Sequence, residues 1–246
     1  MKILIFIYEC IIFLPIFVIS TIVLTLSSII GCKIGNYEFW SHYPGVVWSK
    51  LSLAAALCRV EVEGREKIDP KQSYIFVANH QGSTDIVLIF GYLGQPFRWI
   101  LRNGIKKVPV LGSFCENSKQ IFVDESGANG IIHTVRQAVN VLKSGKSIVI
   151  FPEGTRCKDG HLHQFKKGGF AIAAMTKHPV VPVTIVNSYQ TMPKGSFIPN
   201  PHKLKLIFHD PLPAVTREEG NEAGIKRLLH DSQRAIALDL GEPIQE

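Results

Sequence analysis

Cysteine is scarce in this 246-residue sequence: five residues, an odd number, far apart at positions 10, 32, 58, 115 and 157. Scarcity and spacing exclude a disulfide framework, and the lack of any C-x-x-C pair excludes the common zinc modules. Cys157, His161 and His163 lie close together, but no fourth ligand is nearby and Lys158-Asp159-Gly160 reads as a turn, so no metal is expected. Internal repeats and low-complexity tracts are absent. So is a G-x-S-x-G elbow, which argues against a serine hydrolase pairing Ser83 with His80. Acidic residues are outnumbered, 20 against 27 basic ones, for a net charge of +7. That excess suits an anionic membrane surface or a phosphorylated ligand. With no helix-turn-helix, RNA-binding aromatic or zinc-finger pattern beside it, nucleic acid is not an expected partner.

Charge is scarcest at the N-terminus. Residues 3 to 31 form a nearly unbroken apolar run, interrupted only by Glu9 and Pro15. About 20 apolar residues cross a bilayer as a helix, so the run is long enough to insert or span. It is too long for a signal peptide and lacks a small-residue cleavage site. A weaker apolar segment, residues 41 to 58 with Pro44 and Trp48, is expected to return along the interface, where tryptophans favour that depth. Residues 1–60 thus read as a helical membrane anchor and residues 61–246 as the folded domain.

In that domain β-rich runs alternate with helical patterns. Ser73 to Ala78, Phe97 to Leu101, Gln120 to Val123, Ser147 to Phe151, Val180 to Val186 and Lys203 to Phe208 read as strands. Ile131, Val135, Ala138, Val139 and Leu142 recur at helical spacing, with Gly145 as a stop signal. Asp85 to Tyr92, Gly169 to Lys177 and about Glu218 to Leu240 are further helices. Such alternation implies an α/β fold, a mainly parallel sheet flanked by helices.

His80 and Asp85 follow the apolar run Tyr74-Ile75-Phe76-Val77. On one continuous helix five residues turn through about 500°, which keeps the two side chains apart. With His80 in the loop leaving a strand and Asp85 in the first turn of the next helix, the carboxylate reaches one ring nitrogen. The other is then free as a base for an alcohol proton. The plain alternative is a histidine and a helix-capping aspartate that never touch.

Phe151-Pro152-Glu153-Gly154-Thr155-Arg156 follows the apolar strand Ile148-Val149-Ile150 and so also belongs on a strand-end loop, where open α/β sheets place ligands. The glycine lets backbone N–H groups approach an anion, and the arginine can grip phosphate through two parallel hydrogen bonds. Glu153 can accept from a hydroxyl or hold the arginine. The alternative is a tight turn in which Glu153 and Arg156 pair with each other.

Asn79-His80-x4-Asp85, Phe151 to Arg156, Phe165-Lys166-Lys167-Gly168 and Val180-Val181-Pro182-Val183, in this order, resemble the glycerolipid acyltransferase family, most closely its 1-acyl-glycerol-3-phosphate acyltransferases. The resemblance covers roughly residues 60 to 215. It implies transfer of an acyl chain from coenzyme A or acyl carrier protein to a lysophospholipid hydroxyl, with no metal or other cofactor. His80 would be the base and Asp85 its orienter, with backbone amides near Gly82 and Ser83 as oxyanion donors. Arg156, Gly154 and Thr155 would bind the acceptor phosphate, Glu153 its glycerol, and Lys166 would add charge. It also implies a membrane enzyme, at the inner cell membrane with a cytoplasmic active site, because acyl thioesters are cytoplasmic.

One block departs from that pattern. Where the family carries a basic residue seven positions before a proline, Arg102 precedes Pro109, and Lys106 lies between them. Glu125, however, stands where an arginine is expected, which could redirect the enzyme to another lysolipid. A non-catalytic lipid-binding adaptor is the reading from a different class, but His80, Asp85, Glu153 and Arg156 are all retained.

Overall fold

The computed structural model describes residues 2–124 and 127–243. Glu125 lies outside the described residues. The chain opens with an apolar hairpin. Helix α1 (Lys2–Tyr8) continues into α2 (Leu14–Ile34) through a π-turn at Glu9–Phe13. Pro15 has no N–H to return to the preceding turn, so the ladder widens just ahead of it. After the short α3 (Tyr37–Trp40), α4 (Tyr43–Ala55) runs back antiparallel to α2. Three polar contacts fix that register: the Tyr8 hydroxyl donates to Ala55 O at 3.0 Å, Trp48 Nε1 to Thr21 Oγ1 at 2.8 Å, and Ser28 Oγ to Trp40 O at 2.6 Å.

Next come β1 (Arg59–Glu63), β2 (Ile75–Ala78), α5 (Thr84–Tyr92), β3 (Phe97–Arg102), α6 (Leu111–Asn117), β4 (Ile121–Val123) and α7 (Ala128–Lys143). Then follow β5 (Ser147–Ile150), α8 (Lys167–Thr176), β6 (Val180–Val186), α9 (Ser188–Thr191), β7 (Lys203–Phe208) and α10 (Asn221–Leu240). The strands form one sheet in the order β1-β7-β6-β2-β5-β3-β4, parallel except for the antiparallel pair β6–β7. The expected α/β architecture is therefore the one observed.

β2 and β5 are central and buried on both faces, which is why they read as continuous apolar runs rather than alternating ones. Ile75, Val77, Ile148 and Ile150 pack with Phe170, Ala138 and Ile236, on the face covered by α7, α8 and α10. Phe76, Ala78 and Val149 pack with Leu53, Leu88 and Ile89, on the face covered by α4 and α5. Each fully buried Val, Ile or Phe contributes roughly 1.5–3 kcal/mol. Besides the one-turn helices α3 and α9, two elements have no counterpart in the sequence reading. β1 is an edge strand whose alternating charges meet β7 across Glu61–Lys203 at 2.6 Å and Glu63–Lys205 at 2.7 Å, and it spans residue 60, placed above between anchor and domain. α6 is too short to show a helical period.

Candidate active site

Where β2 leaves the sheet, a side chain replaces the backbone ladder. Asn79 Nδ2 donates to Ile185 O, and Ile185 N–H donates to Asn79 Oδ1, both at 2.8 Å. The neighbouring strand stays satisfied while the chain turns away. His80 follows directly, and its Nδ1 donates to Asp85 Oδ2 at 2.8 Å. The same oxygen accepts the Gly82 N–H at 2.9 Å, so one carboxylate atom shapes both the loop and the ring. Asp85 sits in the first turn of α5, fully buried, and its Oδ1 has no hydrogen-bond partner among the described residues. The bond to Asp85 fixes the ring's orientation and places its proton on Nδ1, so Nε2 is the nitrogen left to accept one. Gly82 is required here because a Cβ would strike the Ser188 carbonyl.

The second loop grips the first. Phe151 to Gly154 is a β-turn closed by Gly154 N–H to Phe151 O at 3.0 Å, with Pro152 at its second position and Gly154 at φ +76°. It turns Glu153 inward, 4% exposed. Glu153 Oε1 accepts the His80 backbone N–H at 2.6 Å, and Oε2 accepts that of His163 at 3.2 Å. Cys157 N–H closes the clamp on His80 O at 3.0 Å. Burial pushes the Glu153 carboxyl up to about 7, against the pull of the two backbone N–H groups.

An aromatic stack holds the imidazole from the side. The His80 ring lies 4.0 Å from Phe151 and tilted 9°, and Phe151 lies 5.2 Å from Trp99. β2, β5 and β3 are consecutive in the sheet, and rings on neighbouring strands inherit a spacing of about 4.8 Å. Sheet order thus makes the stack.

Cations border the outer side of the turn. Arg156 Nη1 donates to the Ser83 hydroxyl. The Lys166 ammonium lies beside Gly154, 3.1 Å from where a Cβ would stand. Lys194 Nζ contacts Thr155 Oγ1 at 3.3 Å and Arg156 O at 3.4 Å. Lys194 tops a turn closed by Ser196 N–H to Pro193 O, with Gly195 at φ +94°. Ser83 N–H donates to Met192 O at 2.8 Å and pins that turn to the His80 loop. A base with a free nitrogen beside a rim of cations can deprotonate a hydroxyl on an anionic molecule.

An acyltransferase family model matches residues 59–186, just over half of the sequence, and this span holds both loops. The chain belongs to the acyltransferase family. Among its relatives are the chloroplastic 1-acyl-sn-glycerol-3-phosphate acyltransferase BAT2 of Brassica napus, 32% identical over 70% of this chain and 50% of that protein. The 1-acyl-sn-glycerol-3-phosphate acyltransferase of Pseudomonas aeruginosa is 27% identical over 84% of this chain and 78% of its own length. The chain spans about half the length of the chloroplastic relatives. The crystal structure of the 1-acyl-sn-glycerophosphate (LPA) acyltransferase, PlsC, from Thermotoga maritima superposes with a TM-score of 0.66 at 26% identity, covering 94% of this chain and 100% of that one.

The acyltransferase fold brings His80, Asp85, Glu153, Gly154, Thr155, Arg156 and Lys166 to one corner of the sheet. Both Glu153 oxygens are occupied by backbone amides, so its carboxylate spans the two loops instead of facing a substrate's glycerol. Arg156 pairs with Ser83, not with Glu153. The amides of Gly82 and Ser83 are committed to Asp85 and Met192, which removes both as oxyanion donors. Arg102, at the end of β3, and Lys106, in the following turn, are exposed on the same edge, and the Lys106 ammonium lies 4.5 Å from the Phe122 ring centre. Neither touches the Arg156 loop among the described residues. His161 pairs with Glu242 and His163 with Asp159, while the Cys157 thiol faces Gln81 O. Sequence reasoning missed Phe151 and Trp99 as ring supports, Ser83 as the arginine's partner, and Lys194. Phe151, an aromatic directly after β5, was the available signal for the stack.

Proposed function

We propose that the protein transfers a fatty acyl chain from an acyl thioester to the sn-2 hydroxyl of 1-acyl-glycerol-3-phosphate, giving phosphatidate in phospholipid synthesis. The observation that carries this reading is the 2.8 Å bond from His80 Nδ1 to Asp85 Oδ2, which leaves Nε2 as base. His80 Nε2 removes the hydroxyl proton as the oxygen attacks the thioester carbonyl carbon. The tetrahedral intermediate collapses with cleavage of the C–S bond, and the imidazolium returns its proton to the departing thiolate. Arg156, Lys166 and Lys194 hold the acceptor phosphate by charge-assisted hydrogen bonds. The relatives' printed names support this acceptor. Coenzyme A or acyl carrier protein carries the acyl chain. The apolar stretch Ile3–Ile34, 32 residues and about 48 Å as a helix, supports attachment to a membrane, and the cytoplasmic supply of acyl thioesters supports the inner cell membrane with the loops on its cytoplasmic face.

Purified full-length protein, offered a panel of lysophospholipids with both donor types and analysed by mass spectrometry, is expected to convert lysophosphatidate to phosphatidate with thiol release. His80→Ala is expected to lower that rate at least about 100-fold. Turnover of a different lysolipid alone would reassign the acceptor. Lysolipid binding without turnover would make the protein a non-catalytic adaptor.

A further inference from the structure

The sheet has a second cationic site, at its opposite end. A cavity of about 460 Å³ opens among Tyr37, Glu38, Arg98, Lys119, Gln120 and Lys146. Arg98 lies near the start of β3, and Gln120 and Lys146 immediately precede β4 and β5. These are the amino ends of parallel strands, whereas His80 and Arg156 follow the carboxyl ends of β2 and β5. Along β5 the two positions are about 16 Å apart.

Three cations and one carboxylate line the space. Arg98 is 2% exposed, and the hydrogen bonds its guanidinium makes among the described residues end on neutral oxygens: Phe97 O and Ser41 Oγ at 2.8 Å, and the Tyr37 hydroxyl at 3.4 Å. Lys119 adopts φ +52°, with its ammonium 4.5 Å from the Tyr37 ring centre. Lys146 donates to Ser144 Oγ at 3.2 Å and pairs with Glu38 at 2.8 Å, but the Glu38 side chain is 61% exposed. A structural role for Arg98, fastening the α3–α4 turn to the sheet, explains its bonds to Tyr37 and Ser41. It does not explain why Lys119 and Lys146 converge on the same open space, where the exposed Glu38 is the one carboxylate set against three cations.

We propose that this cavity binds the phosphate group of an anionic ligand, either a phospholipid headgroup or a small soluble phosphate ester. A planar guanidinium beside two ammoniums matches the tetrahedral array of phosphate oxygens, and the volume admits a phosphoglycerol unit. Tyr37 follows the end of the apolar helix α2 by three residues, which puts the cavity mouth beside a segment suited to lipid.

The test uses the detergent-solubilised protein with its apolar helix retained, and soluble short-chain phosphatidylglycerol or phosphatidylcholine as ligand; phosphatidylglycerol lacks the phosphomonoester that the loops around Arg156 are proposed to hold. The double variant Lys119→Ala, Lys146→Ala is expected to bind phosphatidylglycerol at least about tenfold more weakly than the native chain. A control pair, Lys203→Ala with Lys226→Ala, removes two charges far from the cavity and is expected to change binding less than twofold. Both are checked for native melting, which separates misfolding from lost binding. Competition by millimolar glycerol phosphate assigns the cavity to soluble phosphate esters, and retention in its presence assigns it to the lipid headgroup. Equal losses in the two double variants, which remove the same charge, would reduce the effect to diffuse surface charge and overturn the proposal, as would native binding by Lys119→Ala, Lys146→Ala. Binding is read without turnover, so the outcome is independent of the acyl-transfer reading.

Discussion

The two ends of the sheet handle buried charge in opposite ways. At the carboxyl end, Asp85 and Glu153 are sunk among strand-end loops and held by backbone N–H groups: Gly82 on one, His80 and His163 on the other. At the amino end the buried charge is Arg98, met by hydroxyls and a carbonyl. Backbone amides cannot rotate away, so carboxylates fixed by them set geometry, and that suits positioning an imidazole. Hydroxyls leave a guanidinium's charge uncancelled, and that suits capturing an anion. The two ends should therefore fail in different measurements.

The largest effect is expected from Asp85→Asn. An amide oxygen can still accept the His80 and Gly82 N–H groups, but its NH2 then fills the buried position where Oδ1 now has no partner, and the charge beside the ring is gone. The turnover number should fall about 100- to 1,000-fold with KM nearly constant, because the loss belongs to proton transfer rather than binding. Steady-state kinetics decide it. A tenfold rise in KM at unchanged turnover would mean that Asp85 shapes a binding loop and not the base.

Glu153 should show itself in stability. Burial raises its carboxyl from the usual 4.5 to about 7, so between these values the folded chain binds more protons than the unfolded one. Linkage then requires this residue's contribution to fall as pH rises through that window, by roughly 3 kcal/mol at full effect, and to level off above it. In Glu153→Gln the slope should vanish, although an amide NH2 facing the His163 N–H costs about 1–3 kcal/mol at every pH. Melting curves of both proteins between pH 4.5 and 7 test this. Parallel curves would mean that the carboxylate is ionised throughout and that the His80 and His163 amides outweigh its burial.

How much of this was legible beforehand follows from where each interaction lies along the chain. The apolar run at Ile148 to Ile150 announces a central strand because burial on both faces leaves no room for polar alternation. β1 hides because an edge strand is half charged. His80 and Asp85 are five residues apart, one before and one after a single strand-to-helix turn, so their pairing could be anticipated. The stack of His80 on Phe151 and Trp99 depends on the order β2-β5-β3, which no local window contains. Glu153 was expected to face substrate, and only the turn from Phe151 to Gly154 directs it inward. Helix α2 was legible by composition alone, and in the fold Ile19, Val23 and Ile30 remain exposed, 61%, 56% and 55%.

The smallest effect should come from Lys194, and it sharpens the contrast between the two ends. The segment from Met192 to Pro201 reads as a plain loop, yet its turn sets this ammonium 3.3 Å from Thr155 Oγ1, on the rim with Arg156 and Lys166. An exposed cation sharing a phosphate with two others contributes modestly. Lys194→Ala should raise KM for lysophosphatidate about fivefold with turnover little changed, and Lys194→Arg should restore most of it. The remote Lys226→Ala, on the outer face of α10, should leave KM where it was. Binding of soluble phosphatidylglycerol by Lys194→Ala should also stay native, because that property is assigned to the amino end. If KM rose and phosphatidylglycerol binding weakened together in this variant, the cations at the two ends would act as one diffuse field, and the division of labour between them would be lost.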